Sequence, residues 1–399
     1  MNASQQKKVY VTFTTSLPDE YRFEHGPISL SVSSDSEVLN KIVQSYLAEK
    51  DLPIKSFQFL IKGVILQSII EDHSSVDPTS EKNIEVEYIA PFGEPQPDQS
   101  SSAEHEIAYL ASSLLDEKIL SFTFNGRVEV RNRATLEVER EVRAFKFEED
   151  LQGSILSYAF AETEEGVEVY SGSVFGDVFL SKFRHGSFDV VRQHQAEARN
   201  SVTAMCLNSL APILYCGDSE GFLSAFTSGD LKRSVDVKQH NLAISAIRFI
   251  DQSKIATGGR DDCVKICDAE TLACATSFLL KDQAITSLEA FPRKQLIFSG
   301  HINGSLRLFD ERQHSGPVRV LKAHDFLVSQ IAFNSETDNS FVTASHDGLV
   351  KFWDLRSDRS LFEIDAANKR KIHALCWDQK DRLISAGEDS HIMAHKFAN

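Results

Sequence analysis

Near its start the chain alternates. Val9, Val11 and Phe13 are interleaved with Tyr10, Thr12 and Thr14, the period of two that marks a half-buried strand. A second β segment is expected over residues 21–32. The period then changes. Ser34-Asp35-Ser36-Glu37 reads as a helix start with a capping box, Ser34 satisfying a free backbone N–H and Glu37 reaching back. Val38, Leu39, Ile42, Val43, Tyr46 and Leu47 then share one face of a helix predicted to run to about Lys50, so the helix packs on a sheet. Strands are predicted at 57–61 and 64–70, separated by the turn Lys62-Gly63. In the last strand of this region Ile84, Val86 and Tyr88 face inward, while Glu85 and Glu87 face water.

The order β-β-α-β-β-β predicts a small α+β roll of the ubiquitin-like (β-grasp) kind over residues 1–91. A transferable end would need a free Gly-Gly tail, and here the strand runs on into Ile89-Ala90-Pro91, so a docking module is expected. Composition shifts over 92–104 to Gly, Pro, Gln, Asp and Ser, too polar for a core of its own. This is the expected linker.

From 105 to 399 one pattern recurs: an apolar strand, a strand of small and apolar residues, an Asp/Asn/Gly turn and a third strand. The turns are Asn125-Gly126, Gly176-Asp177, Glu220-Gly221, Asp261-Asp262, Asn303-Gly304, Asp347-Gly348 and Glu388-Asp389. Their spacing, about 41 to 50 residues, is that of WD repeats, with four strands per propeller blade. Asn-Gly and Asp-Gly supply the positive φ of tight hairpins, placing each turn between the second and third strands. A mainly β fold follows: a seven-bladed WD-repeat β-propeller behind the small β-grasp domain. Closing the ring is expected to take the outer strand of the last blade from residues near 90–102.

The clearest repeat nominates His324, Ser345, Asp347 and Trp353 as a buried hydrogen-bonded network. Its spacing keeps it inside one blade, so it reads as structural rather than as a catalytic triad. His194, His240 and His324 are the candidates for the histidine ahead of a first strand. Cys267-Asp268 and Phe309-Asp310 stand where Trp-Asp is expected, and Ala394 closes the last blade.

Charge and cysteines narrow the function. Hydrophobic residues at 42% and charged residues at 25% are the balance of a protein with a sizeable core. No apolar run approaches the roughly 18 residues needed to cross a bilayer, and the polar start at 1–8 argues against secretion. A formal net charge of −16 disfavours direct nucleic-acid binding and favours basic partners. The six cysteines contain no Cys-x-x-Cys; Cys263, Cys267 and Cys274 are the closest cluster, and core thiols are the better reading than a metal site. No phosphate-binding Gly loop, metal-ligand cluster or nucleophile motif supports an enzyme.

Several segments carry a resemblance: Gly26-Pro27-Ile28-Ser29-Leu30, Phe57-Gln58-Phe59-Leu60-Ile61, residues 80–88, residues 344–356 and 383–389. Together they resemble the WD repeat-containing protein 12 family, the WD-repeat subunit of the pescadillo complex, whose N-terminal domain is shared with Notchless. Seven blades favour this family over Notchless, which has eight. The resemblance implies a non-enzymatic scaffold in maturation of the large (60S) ribosomal subunit and its rRNA, on the pre-60S particle in the nucleolus and nucleoplasm. The propeller is implied to bind the block-of-proliferation protein, which holds pescadillo. The ubiquitin-like domain is implied to dock on the metal-ion-dependent adhesion site of the AAA+ ATPase midasin. There Glu81 is the implied carboxylate ligand, in trans, to midasin's Mg²⁺, with no cofactor of the chain's own. Relatives usually carry a longer central insertion with basic clusters; here Lys369-Arg370-Lys371 is the only basic triplet, so nuclear entry is expected to depend on a partner. The competing expectation is a substrate adaptor in ubiquitin signalling.

Overall fold

The computed structural model describes residues 8–23, 25–48, 50, 52–70, 83–113, 118–143, 155–163, 166–184, 187–194, 200–208, 211–281, 283–313, 315–334, 337–365, 370–379 and 381–397. The chain divides into two compact units. One is built chiefly from residues up to Glu94, the other from Pro95–Trp353 with Arg359–Phe397.

The first unit contains β1 (Lys8–Thr15), β2 (Ile28–Ser31), α1 (Ser36–Leu47), β3 (Gln58–Ile61), β4 (Val64–Ile65) and β5 (Asn83–Ile89). Its sheet runs β2-β1-β5-β3-β4, with β1 and β5 parallel at the centre. Alternation sets what is buried: Val9 and Val11 of β1 and Val86 and Tyr88 of β5 meet Leu39 and Val43 of α1 in one core. The buried phenol of Tyr88 donates to the Tyr21 carbonyl at 2.6 Å, so it costs little to bury.

Four details of this unit differ from expectation, the first being that the strand expected over 64–70 forms only at Val64–Ile65. The helix cap is Asp35, whose Oδ1 accepts from the Val38 N–H at 2.9 Å; a carboxylate here also complements the helix dipole. Ser34 is instead buried in the turn after β2, its N–H donating to the Ser31 carbonyl and its own carbonyl accepting from the Ile70 N–H. The buried stripe is Leu39, Val43 and Leu47, spaced by four, whereas Val38 and Tyr46 are 39% and 38% exposed; the Tyr46 ring stacks on Phe23 at 4.8 Å. Pairing over 21–32 is confined to Ile28–Ser31, where Pro27, lacking an N–H, ends the ladder.

The second unit begins with β6 (Pro95–Ser102). Among the described residues it holds seven four-stranded sheets. The first four are β7–β10 (Ile107–Ser113, Lys118–Thr123, Arg127–Asn132, Val138–Arg143), β11–β14 (Ile155–Thr163, Gly166–Ser173, Val178–Arg184, Ser187–His194), β15–β18 (Val202–Asn208, Ile213–Asp218, Phe222–Thr227, Arg233–Lys238) and β19–β22 (Ile244–Asp251, Lys254–Gly259, Cys263–Asp268, Cys274–Leu279). The next two are β23–β26 (Ile285–Phe291, Leu296–His301, Ser305–Asp310, Arg319–Lys322) and β27–β30 (Val328–Phe333, Ser340–Ser345, Leu349–Asp354, Phe362–Asp365). The last is β31–β33 (Ile372–Gln379, Arg382–Gly387, His391–Phe397) completed by β6. The first strands of successive sheets contact one another in chain order, and β31 contacts β7, so the unit is a closed β-propeller.

Each turn between second and third strands carries one residue at positive φ: Gly126, Gly176, Gly221, Asp262, Gly304, Gly348 or Ser390. At Gly304 the need for glycine is double. Its φ is +78°, and a Cβ would lie 2.1 Å from the His324 carbonyl oxygen of the following loop. β6 pairs antiparallel with β33, from Ser102 opposite His391 to Pro95 opposite Phe397. Its two prolines are tolerable because β6 is an outermost strand, where a missing N–H breaks no ladder on the free side.

Candidate functional site

Glu81, the candidate ligand in trans, lies outside the described residues. β5 starts two positions later, at Asn83, with Glu85 exposed on it. Among the described residues no group of three or more His, Cys, Asp or Glu side chains is placed to hold a metal, so Cys263, Cys267 and Cys274 do not assemble into a metal site.

The predicted network has a different hub. His324 Nδ1 lies 2.9 Å from Asp347 Oδ2, and its Nε2 lies 2.8 Å from Thr343 Oγ1, not from Ser345. Trp353 Nε1 donates to the same Thr343 Oγ1 at 2.9 Å. A carboxylate only accepts, so Asp347 fixes the proton on Nδ1 and leaves Nε2 to accept from the threonine hydroxyl. The chain therefore runs from the indole N–H through Thr343 and His324 to Asp347, every polar atom satisfied. Burial works against the Asp347 charge, but His324 and the N–H groups of Leu349 and Asp325 outweigh it and hold the carboxyl at about 2. Ser345 ends the strand and serves the turn, donating to the Phe326 carbonyl and accepting from the Asp347 N–H. Thr343 and Ser345 are two apart on β28 and share a face; only the first lies level with the indole.

The same chain recurs in the β19–β22 sheet. His240 Nδ1 meets Asp261 at 2.8 Å, and Nε2 meets Thr257 Oγ1 at 2.9 Å. Cys267 takes the tryptophan's place beside Thr257. In the β23–β26 sheet the histidine has moved into the second strand: His301 Nε2 lies 2.7 Å from Ser299 Oγ, and Nδ1 donates to the Gln283 carbonyl at 2.9 Å. His194 packs edge-on against Phe226, ring centroids 5.0 Å apart. Ladder register puts His395 of the last sheet, opposite Leu383, at the position that Cys267 and Phe309 hold opposite Ile255 and Ile297. His395, rather than Ala394, therefore stands in the tryptophan position. In the first sheet that position is Arg131, fully buried, which bonds Glu129 at 2.6 Å and Ser121 at 3.0 Å and reaches the Ser101 hydroxyl of β6 at 3.3 Å. The sequence signal for the hub was available: a Ser or Thr four residues before the turn Asp.

The seams between sheets combine hydroxyl bridges with ion pairs, Arg248 of β19 holding Glu289 of β23 at 2.9 Å. Between neighbouring first strands, hydroxyls bridge to carbonyls: Thr203 to Ile244, Ser245 to Ile285 and Thr286 to Val328, at 2.6, 2.6 and 2.7 Å. The closing seam uses charge. Asp378 accepts from Arg133 at 2.6 Å and Arg382 at 2.9 Å, and Arg382 also holds Asp98 of β6 at 2.8 Å. One end of the propeller carries large exposed apolar side chains. Leu242 and Phe326, 54% and 63% exposed, lie in connections between sheets, and Ile302, 56% exposed, lies in a second-to-third-strand turn. Meander topology brings these connections and turns to the same strand ends, so the three share a face open to another protein.

Comparison with known proteins matches both units. Residues 9–74 match the NLE (NUC135) domain, and residues 315–354 match the WD domain, G-beta repeat. The chain is 23% identical to the ribosome biogenesis protein WDR12 homolog of Nematostella vectensis, over 98% of this chain and 99% of that one. It is 25% identical to ribosome biogenesis protein YTM1 of Meyerozyma guilliermondii, over 98% and 96%. A 146-residue stretch is 32% identical to YTM1 of Lodderomyces elongisporus, covering 34% and 30% of the two chains.

Proposed function

We propose that this chain, similar over almost its whole length to ribosome biogenesis proteins of the WDR12/YTM1 family, is a non-enzymatic scaffold in assembly of the large ribosomal subunit and maturation of its rRNA. The observation that carries this is the end-to-end match: the likeness spans 98% of the chain and 99% of a WDR12 homolog, taking in both units in the same order. A role in ribosome biogenesis places the protein's work in the nucleus and nucleolus.

The finer reading assigns one task to each unit. The propeller binds the block-of-proliferation protein, and through it pescadillo; the apolar side chains of Leu242, Ile302 and Phe326 supply a surface suited to such a contact. The β-grasp unit docks on the adhesion site of midasin, with Glu81 offering a carboxylate to the Mg²⁺ held there. Mg²⁺ is a hard ion that takes oxygen ligands in octahedral geometry, so a single carboxylate added to a site completed by the partner suits it.

Purification of a tagged chain tests the scaffold: pescadillo, the block-of-proliferation protein and large-subunit precursors are expected to co-purify. Recovery of ubiquitin-ligase subunits in their place would replace this reading with the adaptor one. Glu81→Ala is expected to abolish Mg²⁺-dependent midasin binding and to leave the propeller partners bound. Equal midasin capture by variant and parent would remove the metal contact.

A further inference from the structure

Cys267 of β21 and Cys274 of β22 face one another directly across an antiparallel pair. A register irregularity produces this: Ile266 pairs with Thr276, and the next residue along β21 pairs with Cys274, skipping Ala275. Cys274 is near enough to reinforce burial in raising the Cys267 thiol. Directly opposed residues on antiparallel strands have Cα atoms about 4.5–5.5 Å apart, inside the roughly 4.4–6.8 Å that a disulfide bridges. The thiols differ in access. Cys274 is exposed and Cys267 is buried at the end of the Thr257–His240 chain. Burial pushes the Cys267 thiol up to about 12, which keeps it protonated and unreactive toward external oxidants at neutral pH.

We propose that Cys267 and Cys274 form a reversible two-electron oxidation site, in which a hydroperoxide oxidises Cys274 and Cys267 then closes a cross-strand disulfide. In the first step the Cys274 sulfur, losing its proton, bonds to one peroxide oxygen. The O–O bond breaks, the other oxygen leaves as water, and Cys274 carries a sulfenic acid. In the second, Cys267 gives up its proton and attacks that sulfur. The S–O bond breaks, the hydroxyl leaves with the proton as a second water, and an S–S bond remains. One hydrogen peroxide is reduced to two waters by the two electrons the sulfurs lose, and a cellular thiol such as glutathione returns them by exchange. The high affinity of Cys267 for its proton makes closure the slow step. Closure also turns the sulfur beside Thr257 from a thiol into a disulfide, so oxidation reports directly into the buried chain of that sheet.

The sequence provides a clean assay, because trypsin releases both thiols, and no other cysteine, in the single peptide Ile266–Lys281. The native full-length chain is treated with hydrogen peroxide, its remaining thiols are blocked with N-ethylmaleimide in denaturant, and the digest is weighed. The expected product is this peptide lighter by two hydrogens and free of maleimide, while the buried Cys216 still takes the label. Cys274→Ser, at an exposed position that leaves the core intact, is expected to abolish the loss. Cys267→Ser should leave Cys274 trapped as sulfenic acid. Either a peptide bearing two maleimides, or Cys274 over-oxidised to sulfinic acid beside a labelled Cys267, overturns the proposal.

Discussion

The β27–β30 and β19–β22 sheets carry the same buried polar chain but end it differently. In both, a histidine ahead of the first strand bonds a turn aspartate through Nδ1 and a second-strand threonine through Nε2. In one sheet the threonine also accepts from Trp353; in the other the neighbour is Cys267. Trp353 brings a large ring, packed parallel to Phe341 at 5.9 Å, as well as a strong donor. Cys267 brings a small, weak donor and a facing thiol. These two sheets share the threonine–histidine–aspartate part, while the terminal residue varies to serve packing, charge or redox chemistry. Arg131 in the first sheet extends the point, since there the same position fastens the clasp strand.

The widest separation between the two sheets is expected on truncating the terminal residue. Trp353→Ala removes a ring that is 2% exposed and the hydrogen bond into Thr343, a loss of about 3–5 kcal/mol for a large buried aromatic. Cys267→Ala removes little more than one small buried group, about 1 kcal/mol. Urea midpoints of the two variants should differ accordingly. Equal shifts would mean that the indole is not the anchor of its sheet.

The sequence carried the repeat better than the chemistry inside it. All seven turns from Asn125-Gly126 to Glu388-Asp389 fall between second and third strands, because positive φ restricts those positions to a few residue types. The β-grasp core was equally legible from alternation in β1 and β5. The hub was readable only from a finer spacing: Thr343 and Ser345 are both small hydroxyl residues on one strand face, and the four-residue distance to Asp347, not the period, separates them. The closing seam was hidden for another reason: Asp98, Arg133, Asp378 and Arg382 come from distant parts of the chain and converge only when the ring closes. The thiol pair depended on a one-residue slip in β22 that no propensity signals.

Removing the hub hydroxyl sharpens the comparison at a smaller scale. Thr343→Val keeps the shape but leaves His324 Nε2 and Trp353 Nε1 without partners, each orphan costing about 1–3 kcal/mol. Thr257→Val orphans only one strong group, His240 Nε2, and should cost roughly half as much. A double cycle of Thr343→Val with Trp353→Phe, read by urea unfolding, is expected to show coupling. Strict additivity would deny that the indole N–H depends on this threonine.

The smallest effect concerns acid. Burial lowers both His240 and His301, but Asp261 opposes burial at His240 through its hydrogen bond and charge, whereas His301, bonded to Ser299 and the Gln283 carbonyl and repelled by Arg307, falls to about 4. A histidine whose folded value lies below its unfolded value binds fewer protons when folded. Its contribution is therefore fully present above pH 6.5 and is lost as pH falls toward 4. Between pH 8 and pH 6 the loss due to His301 should be about 1 kcal/mol. Unfolding free energies of the parent and His301→Asn, measured at both pH values, should differ in slope by that amount, and His240→Asn should flatten the profile less. Identical slopes for parent and His301→Asn would mean that the imidazole is protonated without cost in the folded chain, which the absence of a carboxylate among its bonding partners argues against.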